Sequence, residues 1–197
     1  MTTSAFGEST GVRPGSLARM LRIASIWVVG AVGAVLFIAW ITALLGLAFV
    51  RVRTEIEIVA SKEIVWATLS DFASYPAWNP NTIEIHGTLE SGERVDFRAR
   101  VGESVRELNA QIDRVREFEE ISWTGPVSGL LRTFFWGEHR FAIEEISPRR
   151  VRFTNSERFG GLLALPMRSY LTRDVAAAYD AANLALKSRS EQRVSGE

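Results

Sequence analysis

No charged side chain interrupts residues 23–50, a run of Ala, Val, Leu, Ile, Phe and Trp relieved only by Ser25, Thr42 and a few glycines. Roughly 28 residues rising about 1.5 Å each reach about 42 Å, more than the roughly 30 Å hydrocarbon core of a bilayer. The segment is therefore expected to cross a membrane once, tilted or with protruding ends. Trp27 suits an interfacial position near one end, whereas Trp40 lies well inside the run and reads as packing bulk. A cleaved secretory signal is the competing reading, because Arg19 and Arg22 form a basic front and Gly46, Leu47 and Ala48 resemble a cleavage site. The apolar stretch exceeds the roughly 7–15 residues of such signals, which favours the membrane span. Arg13, Arg19 and Arg22 precede it and Arg51, Arg53 and Lys62 follow it, so charge does not set the orientation. Gly30 and Ala34 make one small-xxx-small pair, which leaves a monomer and a weak homodimer through the helix both open.

The rest of the chain has room for one folded domain. Of 197 residues, 47% are hydrophobic and 23% charged, enough for a single core beside the span. Residues 1–22 and 191–197 are expected to be disordered tails, with the domain at 51–190. Lysine plus arginine and aspartate plus glutamate both number 23, so no global field attracts phosphate backbones and nucleic acid is not an expected partner. Cysteine is absent and the histidines are His86 and His139 alone, which removes thiolate chemistry and histidine-rich metal centres. No metal and no cofactor is expected.

Hydrophobic periodicity gives the order of elements. Residues 51–58 alternate charged with apolar or β-branched side chains and read as a strand that follows the span almost without a linker. Such a short tether would hold the domain close to the bilayer surface. Ser61 offers an N-cap, and Val65, Leu69 and Phe72 follow at helical spacing. Pro76 and Pro80 are expected to end that helix and to push the preceding residues out of α geometry. Strand alternation recurs at 83–89, 95–101, 108–113, 121–123, 139–144 and 151–159, with turns at Gly92, Gly102, Gly125-Pro126 and Pro148. Residues 126–135 show no clean period and read as a loop whose Leu130, Leu131, Phe134 and Phe135 dip into lipid or close over the core. After Gly160-Gly161 the period becomes helical, with Leu163, Met167, Leu171, Val175, Ala178, Ala182 and Leu186 along one stripe and Pro166 near its start. The pattern predicts an α+β fold, a strongly curved antiparallel sheet closed over a long C-terminal helix.

Two stretches carry a family likeness. Val59-Ala60-Ser61-Lys62-Glu63-Ile64-Val65-Trp66 and Asp71-Phe72-Ala73-Ser74-Tyr75-Pro76-Ala77-Trp78-Asn79-Pro80 resemble the opening of SRPBCC proteins. This START-like superfamily includes polyketide cyclase/dehydratase-type and birch-pollen-allergen-like domains. Gly137-Glu138-His139-Arg140-Phe141, the stretch from Phe153 to Gly161, and Ala182-Asn183-Leu184-Ala185-Leu186-Lys187 resemble its last hairpin and terminal helix. The resemblance covers roughly residues 53–190, leaves the membrane span outside, and implies a helix-grip fold around a hydrophobic pocket without naming a reaction. It also inclines the soluble domain toward the cytoplasmic side.

Parity aims His139 and Glu157 inward from adjacent strands of the hairpin turned at Pro148. A turn at residues 147–149 would set them directly opposite, and one at 148–150 would make them diagonal neighbours. An imidazole beside a carboxylate could move protons or anchor one polar group of a greasy ligand; the plainer alternative is that the pair satisfies itself and only fixes the hairpin. Asn155 shares their face. Phe97, Trp123, Phe141, Phe153, Phe159, Met167 and Leu171 would line a cavity, and Tyr75 and Trp78 sit where the resemblance implies the pocket mouth. His86 faces outward and is expected to be solvated. The expected partners are a hydrophobic small molecule (lipid, isoprenoid or polyketide-like) and the bilayer. Two alternatives stand beside this: a cyclase or dehydratase using the same pocket, and an interaction module whose cavity has collapsed.

Overall fold

The computed structural model describes residues 14–44, 49–101 and 103–195. The chain divides into two compact units that meet in sequence between Ile41 and Thr42. The first carries helix α1 (Pro14–Leu44), whose 25-residue segment Ala18–Thr42 is exposed and is long and apolar enough to cross a bilayer. Pro14 opens the helix at the position where a missing N–H costs no bond. Residues 14–22, expected as tail, are therefore helical, while residues 1–13 and the cleavage-like residues 46–48 lie outside the described residues. Phe49 and Val50, expected as the end of the span, begin a strand instead. Apolar residues continue from one element into the next, so composition leaves no mark at the boundary.

The second unit is a seven-stranded antiparallel sheet in the order β1-β7-β6-β5-β4-β3-β2. Its strands are β1 (Phe49–Ile58), β2 (Thr82–His86), β3 (Arg94–Val101), β4 (Ser104–Arg116), β5 (Glu120–Gly125), β6 (Trp136–Ser147) and β7 (Arg150–Gly160). Register shifts interrupt the β2–β3, β4–β5 and β6–β7 ladders, and such bulges bend and twist a strand pair, which curves the sheet. The terminal helix lies on β1 and against helix α2 (Lys62–Ser70). This is the helix-grip architecture expected of the sequence.

Local chemistry explains most elements. Ser61 caps α2, its hydroxyl accepting from Ile64 N–H. Tyr75 departs from expectation: it precedes Pro76 yet is α-helical, opening a short helix α3 (Tyr75–Trp78) with Pro76 in its first turn, where proline is tolerated. Residues 129–134 form a further short helix, α4 (Gly129–Phe134), and not a loop; six residues are too few to display a period.

The terminal helix also differs from its expected course. Residues 161–167 turn, with Gly161 at φ +92°, before α5 (Arg168–Tyr170), a π-helical turn (Leu171–Val175) and α6 (Ala176–Ser195). The buried stripe is Leu171, Val175, Asn183, Leu186 and Ser190, with Leu163 exposed and Ala178 and Ala182 only partly buried. A π turn shifts the azimuth of everything after it, which a uniform helical count does not anticipate. Residues 191–195, expected as tail, continue the helix, and Glu191 ties it down by accepting from Lys187 Nζ at 2.6 Å and Val59 N–H at 2.8 Å.

Two apolar clusters hold the helix to the sheet. One gathers Ile58, Trp66, Leu69, Ile121, Phe141, Phe153 and Leu186; the other gathers Val50, Val52, Phe159, Ala164, Leu171 and Val175. Each large side chain removed from water contributes roughly 1.5–3 kcal/mol.

Candidate functional site

A polar row separates these clusters. The sheet register places Val52, Glu157, His139, Trp123 and Ile112 side by side across β1, β7, β6, β5 and β4. His139 and Glu157 are directly opposite, but not by a turn at 147–149. Ser147 pairs with Arg150 across a two-residue turn, and the bulge between Glu145 and Ser147 then restores the pairing. His139 Nδ1 lies 3.1 Å from Glu157 Oε2.

The terminal helix supplies a third member. Tyr179 O–H donates a short hydrogen bond to the same Glu157 Oε2 and lies 3.2 Å from His139 Nδ1. One carboxylate oxygen thus links two strands to α6. Gly137, beside Glu157 on the inner face, makes room: a β-carbon there would overlap Glu157 Oε1.

Aromatic rings wall this row. Trp123 stacks on His139 at 4.7 Å with 2° between planes, and Phe141 meets His139 edge-on at 4.7 Å. Phe97 extends the wall beyond Trp123, and Phe153 extends it beyond Phe141. One row along, Asn155 is 2% exposed and donates from Nδ2 to Asn183 Oδ1, while Asn183 donates to Thr54 Oγ1. Among the described residues, His139 Nε2, Asn155 Oδ1, Trp78 Nε1 and Ser190 Oγ are buried without a hydrogen-bond partner. Unpaired buried polar atoms are costly, of order 1–3 kcal/mol each, and two of these lie on one concave face.

The sequence-derived residues therefore separate into groups. Phe97, Trp123, His139, Phe141, Phe153, Asn155 and Glu157 come together on the inner sheet face. Phe159, Met167 and Leu171 pack in the neighbouring cluster with Val52 and Tyr179. Tyr75, expected at the pocket mouth, is a core residue, 3% exposed, whose hydroxyl donates to Leu69 O at 2.8 Å; burial pushes its phenol pKa up. Trp78 is half-buried between clusters. His86 is exposed and pairs with Glu84 at 2.8 Å. Tyr179 and Asn183 escaped the sequence reading, although each stands four residues beyond the last, starting from Val175, and each has a polar tip on an otherwise apolar spacing.

The outer face is a different environment. Glu120, 3% exposed, accepts from Arg140 at 2.7 Å and Arg116 at 2.8 Å, with Arg114 at 3.6 Å. Burial pushes its carboxyl pKa up, but the arginine hydrogen bonds outweigh that and hold it below the usual carboxylate range. The buried Glu120 charge is fully compensated by these arginines, and the cluster reads as structural.

A family model described as polyketide cyclase / dehydrase and lipid transport matches residues 50–191. The chain belongs to that family. No sequence relative among curated proteins matches it. Among solved structures, the family fold is shared with the ZhuI aromatase/cyclase from Streptomyces sp. R1128, at 15% identity and a TM-score of 0.63, over 75% of this chain and 96% of that one. It is similar also to a START superfamily protein from Mycobacterium smegmatis, at 19% identity and a TM-score of 0.59, over 72% and 97%. Norcoclaurine synthase from Thalictrum flavum matches at 13% identity and a TM-score of 0.58, over 74% and 96%. At these identities the likeness is one of fold.

Proposed function

We propose that this protein is a membrane-anchored member of the family that binds a hydrophobic small molecule, of lipid, isoprenoid or polyketide-like class, between the concave sheet face and the terminal helix. The observation that carries the reading is the unpaired polar pair, His139 Nε2 and Asn155 Oδ1, inside an aromatic wall. Polar atoms in such a setting hold a greasy ligand in one orientation.

Access from lipid is supported by an exposed apolar lip. Leu130 is 75%, Leu131 55% and Phe134 48% exposed on α4, beside Leu163 and Leu165. Leu162 N–H and Leu163 N–H donate to Thr133 O and Phe134 O, joining the lip to the end of the sheet where Phe49 pairs with Gly160. Delipidated full-length protein in nanodiscs should take up extracted lipid or an apolar fluorescent probe saturably, with mass spectrometry naming what co-purifies. Absence of uptake at every probe concentration short of aggregation would favour the collapsed interaction module.

A second reading, proton-transfer catalysis in the same pocket, is favoured by the shared Glu157 oxygen, which orients His139 as acid–base groups are oriented. It requires a chemical change in the bound molecule that Glu157→Gln and His139→Ala abolish. Unchanged turnover in both variants would end it.

A further inference from the structure

We infer that the ligand presents a hydrogen-bond donor, a hydroxyl group, to His139 Nε2, an inference that rests on the binding reading above. The argument begins at the other ring nitrogen. His139 Nδ1 faces a carboxylate oxygen at 3.1 Å, and that oxygen also receives the Tyr179 hydroxyl. An ionised carboxylate only accepts, so the imidazole hydrogen sits on Nδ1 and the ring is held in that tautomer. Nε2 is buried without a partner among the described residues, with the ring stacked on Trp123. Nε2 is therefore a lone pair aimed into the interior.

The neighbouring atom has the same polarity. Asn155 donates one hydrogen bond from Nδ2 to Asn183, which in turn donates to Thr54, and its carbonyl Oδ1 is left without a partner. Asn155 is opposite Phe141, one alternation along from His139, and diagonal neighbours of this kind lie roughly 7–8 Å apart. The buried face thus offers two acceptors and one carboxylate. Among the described residues no buried lysine or arginine accompanies them. A carboxylate or phosphate head group would meet repulsion there, and a ketone would bring a third acceptor to acceptors. An alcohol or phenol satisfies Nε2 directly, while its oxygen remains free for a further contact. Trp78 Nε1–H, an unpaired donor, comes from α3 and packs against the clusters that hold Phe97, Trp123 and Phe141 without belonging to this sheet face.

Three naphthalenes of similar size separate the possibilities: 2-naphthol donates, 2-acetonaphthone only accepts, and 2-naphthoate is anionic. Binding to full-length protein in nanodiscs is read by calorimetry and by quenching of tryptophan emission, since Trp123 covers the site. The expected result is 2-naphthol binding about tenfold more tightly than 2-acetonaphthone, the worth of one hydrogen bond, with 2-naphthoate weakest. In His139→Phe, which retains a ring against Trp123, the preference should fall to about onefold while apolar binding persists. Equal binding of naphthol and acetonaphthone by the native protein overturns the inference and leaves the binding reading standing. Tightest binding of naphthoate also overturns it, by showing a cationic ring. If none of the three binds, the pocket itself is refuted, and the inference falls with it. The comparison within the native protein decides the matter even if the variant fails to fold.

Discussion

Replacing Tyr179 by phenylalanine removes one oxygen and nothing else from the centre of the fold. The ring is edge-on to His139 with centroids 5.0 Å apart, and phenylalanine keeps that contact, so no cavity opens. What is lost is a hydrogen bond to a carboxylate whose side chain is 15% exposed. Hydrogen bonds to charged groups are worth roughly 1.5–3 kcal/mol, and the partial exposure of Glu157 favours the lower half of that range. For a unit of this size each kcal/mol moves the Tm by about 2–4 °C, so Tyr179→Phe should lower it by roughly 3–8 °C. Thermal melts of the full chain in detergent, followed by near-UV circular dichroism, report the loss of the domain's aromatic packing, and Tyr179→Phe leaves α1 untouched. The double variant with Glu157→Leu isolates the pair: leucine has no acceptor, so both changes abolish one interaction and the coupling should reach about 1 kcal/mol or more. A Tm unchanged within a degree, with strictly additive effects, would refute the link between α6 and the hairpin through Glu157.

Gly137→Ala should place a methyl group where Glu157 Oε1 lies, forcing the carboxylate off His139 and Tyr179; a loss of about 1–3 kcal/mol in denaturant melts is expected, and unaltered stability would contradict the packing. The chain has no cysteine, so Leu131→Cys carries a single environment-sensitive label; in proteoliposomes its emission should shift to the blue and be quenched by lipid-borne quenchers, whereas a water-like spectrum would remove the lip from the membrane. Glu120 has a depressed carboxyl pKa, so the unfolded chain binds its proton first; the stabilisation is complete above the ordinary carboxylate range of about 4.3 and is lost as pH falls through the folded value. The stability gap between native protein and Glu120→Gln should therefore be largest near neutral pH and narrow steadily toward pH 3, and a gap independent of pH would count against the arginine cluster.

The candidate site was partly legible before the fold was known. Parity along β6 and β7 put His139, Asn155 and Glu157 on the inner face, because side chains alternate wherever a strand forms, whatever it pairs with. The direct opposition of His139 and Glu157 was not legible, since it depends on a bulge near Ser147 that no residue type announces. A uniform helical stripe selects Ala178 and not its neighbour Tyr179, because the π turn ahead of it shifts the azimuth of α6. Glu120 alternates with the inward Ile121 and so faces outward, yet three arginines drawn from β4 and β6 enclose it.

Two kinds of information are involved. The long uncharged run, the succession of strands and helices along the chain and the α+β class follow from periodicities of a few residues, and the helix-grip class from the resemblance carried by two stretches; these are properties of the chain itself. Which polar atoms meet, which stay unpaired and which charge is buried depend on strands and a helix that are distant in sequence. Contacts of that kind exist only once bulges, turns and helix phase have been settled together, each by the packing of the others.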